Sequence, residues 1–150
     1  MLEPRLHRGF FSSFGTMKAA GFGKAEKLKS RKQIDALYAG GRSLAVFPLR
    51  VKYRFLPGTA NVVPIQAGVS VSKRAFKRAV DRNRIKRLLR EAYRLQKADL
   101  LQTAATQQLQ AHIFFMYTDK SLPAFDVIYR AMATCLQQLQ QKALRYENPD

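Results

Sequence analysis

Residues 68–93 read Gly-Val-Ser-Val-Ser-Lys-Arg-Ala-Phe-Lys-Arg-Ala-Val-Asp-Arg-Asn-Arg-Ile-Lys-Arg-Leu-Leu-Arg-Glu-Ala-Tyr, and the apolar period changes within this stretch. Up to Val71 the period is two: Val63, Ile65, Ala67, Val69 and Val71 alternate with Gln66, Gly68, Ser70 and Ser72, as in a half-buried strand. From about Lys77 to Gln96 the spacing is helical. Ile85, Leu88, Leu89, Ala92 and Leu95 make a narrow apolar stripe, Asn83, Lys86, Arg87, Arg90 and Arg94 lie opposite, and Arg82 and Arg84 sit on the flanks. A strand running into an amphipathic helix calls for a sheet with helices packed on it.

The same reading extends in both directions. Upstream, Leu49, Val51, Tyr53 and Phe55 alternate with Arg50, Lys52 and Arg54, giving a strand with one buried and one cationic face. Pro57-Gly58 turns the chain, so this strand and the one over residues 63–71 are expected to be antiparallel neighbours. A short edge strand is expected around Ser43–Ala45. Ser30 is placed to cap a helix over Arg31–Ala39, with Ile34, Leu37 and Tyr38 on one face and Gly40-Gly41 ending it. Downstream, the basic helix is expected to reach Gln96 and to continue toward Gln110, with Gln102–Gln110 as helix end or loop. Ile113–Tyr117 reads as a buried strand. Pro123 opens a last helix to about Ala143, striped by Phe125, Ile128, Met132, Cys135, Leu136 and Leu139. The order is α-β-β-β-α-β-α, an α+β two-layer sandwich on a small four-stranded sheet. One domain is expected over residues 23–146, behind a disordered extension, residues 1–22. In the Gly-, Phe- and Ser-rich extension the apolar run around Phe10 and Phe11 is too short for a signal-peptide core, and a chain starting at Met17 is expected to be fully active.

The chain has 150 residues, 27 Lys+Arg against 10 Asp+Glu, and a formal charge of +17. Such an excess repels itself in a folded state and is best offset by a polyanion. At 47% apolar residues the chain is not a disordered basic tail. Between Lys73 and Lys97 the imbalance is steepest: Lys73, Arg74, Lys77, Arg78, Arg82, Arg84, Lys86, Arg87, Arg90, Arg94 and Lys97 face only Asp81 and Glu91. A solvated helix face normally mixes signs for i,i+4 pairing, whereas this one is nearly all positive, as phosphate binding requires. Guanidinium groups suit that role because a planar fork holds two phosphate oxygens at once. The single Cys135 sits in an apolar helical pattern and reads as core, consistent with a cytoplasmic protein.

On these residues the chain resembles the bacterial ribonuclease P protein component. Gly68-Val-Ser-Val-Ser-Lys-Arg, a basic loop, and then Arg82-Asn-Arg-Ile-Lys-Arg-Leu-Leu-Arg-Glu-Ala-Tyr match the family's strand end and its R-N-R helix. The likeness extends, less sharply, from about Phe22 to Ile128. It implies that Lys73, Arg74, Arg78, Arg82, Asn83, Arg84, Lys86, Arg87, Arg90 and Arg94 bind the catalytic RNA. It also implies that Ile34, Tyr38, Lys52, Tyr53, Ser70 and Ser72 line a cleft for the 5′ leader of precursor tRNA. The partners are then ribonuclease P RNA and precursor tRNA, with no membrane and no small-molecule substrate. The cofactor is Mg²⁺, held mainly by the RNA. The family usually carries two aromatics on the first helix; here the first is Ile34, and Tyr38 keeps a ring whose alternative role is core packing.

The protein itself is expected to carry no catalytic residue. His7 and His112 have no sequence neighbour that makes a metal pair or an acid–base dyad, and the carboxylates are scattered. Three other readings fit the charge. A ribosomal or ribosome-assembly protein would bind RNA without preferring precursor over mature tRNA. A DNA-binding recognition helix normally follows a short helix and turn, not a strand. A membrane-surface helix would carry a broader stripe with aromatic anchors.

Overall fold

The computed structural model describes residues 22–58 and 63–146; the expected extension lies outside them except for Phe22. The first helix, α1 (Arg31–Gly40), starts where Ser30 Oγ accepts the Gln33 N–H at 3.3 Å, relieving an orphan donor of the first turn. It ends at Gly41, whose N–H donates to Leu37 O. A Cβ on Gly41 would lie 2.4 Å from Leu37 O and 3.1 Å from Tyr53 O, so only glycine admits the close approach of α1 to the sheet.

The sheet has four strands: β1 (Arg42–Val46), β2 (Leu49–Pro57), β3 (Ile65–Val71) and β4 (Leu109–Tyr117). Their order is β1-β2-β4-β3. The expected pairing of the two long alternating strands is therefore wrong. β4 lies between them, antiparallel to β2 and parallel to β3. Alternation assigns faces to a strand but says nothing of its neighbour. What marks β4 as central is its nearly unbroken apolar run, Ile113–Tyr117, which suits a strand covered on both sides. Parallel pairing of β3 and β4 needs a long crossover, which two helices supply.

Those helices are α2 (Ala79–Gln96) and α3 (Ala98–Thr106). The helix expected to run on toward Gln110 is broken at Lys97, whose side chain is fully buried and paired with Glu26. Gln108, at φ 54°, turns the chain into β4. The last helix, α4 (Phe125–Leu144), buries the expected stripe Ile128, Met132, Cys135, Leu136 and Leu139. Helices α2 and α4 pack over the sheet face formed by Val51, Tyr53, Ile65, Ala67, Ile113 and Phe115 in one core, and α3 is tied to α4 by a hydrogen bond from Gln140 Nε2 to Thr103 Oγ1. The stripe of α2 is shifted from the sequence expectation: Ile85, Leu89, Ala92 and Tyr93 are buried, whereas Leu95 is 49% exposed. Tyr93 stacks at tilted angles on Phe115 and Phe22, which sets the helix rotation.

Residues 22–28 run along the outer edge of β3. Lys27 bridges Ala67 in parallel sense, Leu28 N–H donates to Ala67 O at 2.9 Å, and Gln66 Nε2 donates to Ala25 O. This strap covers an otherwise open sheet edge and leads directly into α1.

Candidate nucleic-acid interface

The approach to α2 is a built turn. Ser72 Oγ accepts the N–H groups of Arg74 and Ala75 at 3.1 and 3.4 Å, and Phe76 N–H donates to Ser72 O. The Phe76 ring is buried 6.0 Å from Tyr117 and anchors the turn. Lys73, Arg74 and Arg78 are left exposed on it, and Lys77 with them. On α2, Asn83, Arg84, Arg87 and Arg90 are exposed and Lys86 is half-buried. Arg84, Arg87 and Arg90 make no ion pair among the described residues. Two members of the expected set are engaged elsewhere. Arg82 Nη1 donates to Phe76 O and Lys77 O at 2.8 and 2.9 Å. Arg94 forms a two-point pair with Glu91, at 3.0 and 2.6 Å, which holds the Glu91 carboxyl below its ordinary value and pushes the Arg94 guanidinium up.

The other sheet face is only partly covered, by α1. Strand register places three rows across it: Arg50, Met116 and Ser70; Lys52, Phe114 and Gly68; Arg54, His112 and Gln66. Tyr38 reaches over this face from α1. Its ring meets Phe114 edge-on at 6.1 Å and 68°, and its hydroxyl donates to Met116 Sδ at 3.3 Å. Burial nonetheless leaves it 47% exposed, and that partial burial pushes the phenol up from its ordinary value. A Cβ on Gly68 would come within 2.9 Å of the Phe114 ring, so glycine is what lets the ring lie across β3.

Ile34, Tyr38, Lys52 and Ser70 thus come to one side of the sheet. Tyr53 does not: it is buried on the opposite face beside Phe55, because successive strand residues point to opposite sides. Ser72 lies beyond the end of β3, where its hydroxyl caps the turn. Phe114 and Met116 join this face without having been singled out from the sequence. An unbroken apolar run carries no period that says which ring faces a groove. Arg50 and Arg54 share the cationic period of Lys52 and were legible as such.

The remaining titratable groups are dispersed. No three His, Cys, Asp or Glu residues come together as a metal site among the described residues. Cys135 is buried, and desolvation pushes its thiol up to about 12. His112 is buried with no hydrogen-bond partner for Nε2 among the described residues. Desolvation, and secondarily Arg54, lowers its pKa. A base with a lowered folded pKa binds fewer protons folded than unfolded once pH falls below the ordinary value near 6.5. Acidification from pH 7 to pH 5 is therefore expected to destabilise the protein. A His112→Phe variant should show a flatter denaturant midpoint across that range, and an unchanged slope would exclude His112 as the source.

A family model described as Ribonuclease P matches residues 22–143, a span that takes in the strap, all four strands, the turn, α1 to α3 and all but the last residue of α4. The chain belongs to the ribonuclease P protein family. The ribonuclease P protein component of Porphyromonas gingivalis is 43% identical over 116 residues, covering 77% of this chain and 84% of that protein. That of Chlorobaculum tepidum is 38% identical over 84 residues, covering 55% and 54%. The fold is shared with a solved structure of Staphylococcus aureus RNase P protein, with a TM-score of 0.59 at 23% identity over 77% of this chain and 96% of that one. A ribonuclease P protein component has a role in the tRNA-processing endoribonuclease and an RNA partner within that holoenzyme. No helix among the described residues is long and apolar enough to cross a membrane.

Proposed function

We propose that the chain binds the catalytic RNA of a bacterial ribonuclease P through the turn and exposed face of α2. On this reading it also holds the 5′ leader of precursor tRNA between α1 and the sheet, assisting Mg²⁺-dependent endonucleolytic 5′ maturation in the cytoplasm. The observation that carries the leader site is the half-covered face on which Arg50, Lys52 and Arg54 run beside Tyr38 and Phe114. Cations recur along β2 roughly every 6.8 Å, and the rings beside them offer base-stacking surface. Single-stranded RNA is read by that combination of backbone neutralisation and stacking. A purely structural RNA-binding protein has no need of it.

The chain's contribution to the reaction is electrostatic and positional. Cations on α2 neutralise phosphates where two RNAs approach, which lowers the Mg²⁺ needed to bring them together. Among the described residues the carboxylates are dispersed, and on this reading the Mg²⁺ that activates the attacking water is held by the RNA. The test is cleavage of a precursor tRNA by a bacterial ribonuclease P RNA at low Mg²⁺, with and without this protein. Cleavage at the mature 5′ end only with both is expected. Tight RNA binding without stimulation would favour the ribosome-associated reading, and cleavage by the protein alone would overturn the assignment of catalysis to RNA.

The cleft makes a separate prediction. Tyr38→Ala and Phe114→Leu are each expected to weaken precursor binding about tenfold, within the ~1–3 kcal/mol of one stacking contact, and to leave mature tRNA binding unchanged. A precursor-to-mature affinity ratio that does not move would make both rings simple packing groups.

A further inference from the structure

We infer that Arg82, the first arginine of the R-N-R sequence, is a positioning residue that clamps the basic turn, and not a phosphate ligand. Its Nη1 carries two N–H bonds, and the structure gives each a backbone acceptor: Phe76 O at 2.8 Å and Lys77 O at 2.9 Å. Both carbonyls precede the helix and so have no partner in its hydrogen-bond ladder. The rotation of α2 agrees. Arg82 lies seven residues before the fully buried Leu89, only about 20° away around the axis, and roughly 140° from Arg87. It therefore points along the buried side, back under the turn, whereas Arg84 and Arg87 stand on the exposed crest.

The clamp has a consequence for the turn's own cations. Ser72 ties the first half of the turn through Arg74, Ala75 and Phe76, and Arg82 ties the second half through the carbonyls of residues 76 and 77. Between the two ties, Lys73, Arg74, Lys77 and Arg78 are presented on a backbone held before RNA arrives. Ordering that backbone in advance removes an entropy loss from binding. A cation near a helix N-terminus is otherwise unfavourable, and the two carbonyl oxygens supply the negative ends that offset it.

The inference rests on the reading that this surface binds RNA, and the test separates the two. Arg82→Lys, Arg82→Gln, Arg87→Lys and Arg87→Gln are compared in the full chain. Amide exchange is measured at Ala75 and Phe76 in the free protein, and affinity for ribonuclease P RNA is measured across a salt series. A lysine side chain keeps the charge but ends one bond short of Nη1 and lacks the planar fork. Both Arg82 variants are expected to speed exchange in the turn more than tenfold and to weaken RNA binding alike, about tenfold. Neither Arg87 variant should change exchange in the turn; Arg87→Lys, which keeps the charge, should keep the log–log salt slope, and Arg87→Gln should reduce it by about one. Rescue of affinity by Arg82→Lys, with turn exchange unchanged in both Arg82 variants, would make Arg82 an ordinary phosphate ligand and overturn the inference. A salt-independent wild-type affinity would overturn the RNA reading instead, and the exchange measurement would still decide whether the clamp exists.

Discussion

Replacing Arg84, Arg87 and Arg90 together by Glu is expected to lower affinity for ribonuclease P RNA by at least about three orders of magnitude while leaving the fold intact. These guanidinium groups are exposed and make no ion pair among the described residues, so nothing in the core depends on them. A hydrogen bond to a charged group contributes about 1.5–3 kcal/mol, and three lost contacts together exceed the roughly 4 kcal/mol that correspond to a thousandfold change. Reversal adds repulsion between the new carboxylates and RNA phosphates. With about six phosphates neutralised in the wild type, the log–log salt slope is on the order of −4 to −5, and the triple variant should lose about two to three units of it. Filter binding at several salt concentrations measures both quantities, and a thermal melt checks the fold. Affinity unchanged at fixed salt would remove the crest of α2 from the interface.

The second large effect is on stability. Lys97→Met is expected to cost about 3–5 kcal/mol, because it leaves the Glu26 carboxylate buried without its cation. For a domain of this size that corresponds to a fall in Tm on the order of 10–15 °C. Lys97 is fully buried, and its ammonium pairs with Glu26 Oε1 and lies 5.7 Å over the Phe22 ring and 5.9 Å over the Tyr93 ring. Glu26 Oε2 accepts the Gly23 N–H at 3.2 Å, so the same carboxylate also shapes the strap. The double variant Lys97→Met, Glu26→Leu should recover most of the loss, since a buried ion pair often exchanges for apolar residues at little net cost. Amide exchange at Leu28, whose N–H bonds Ala67 O, should rise in the single variant and fall back in the double. A single variant melting within a few degrees of wild type would show that the ammonium contributes little.

Lys97 also shows what the sequence could not reveal. It counts as one more cation in the basic segment, yet it is the residue that turns inward and ends α2. Arg82 is the parallel case: its type fits phosphate binding, and only its distance to two carbonyls gives it another task. Tyr53 is the opposite case: the resemblance implies it for the cleft beside Lys52, whereas the alternation of β2 already sets it on the other face, where it is buried. Phe114 was hidden in an apolar run and meets Tyr38 only because β4 inserts between β2 and β3.

By itself the sequence determined the element types, their order, the stripe of α4 and the concentration of positive charge between Lys73 and Lys97. Those properties follow from local period, capping and composition, which act over a few residues. The tertiary structure alone decided the strand order, the break at Lys97, the rotation of α2 that buries Tyr93 and exposes Leu95, and the meeting of Tyr38 with Phe114. Each of these depends on contacts between residues far apart in the chain. The outcome is set by which packing buries the most apolar surface and satisfies the most polar groups together, and a local pattern carries no record of that competition.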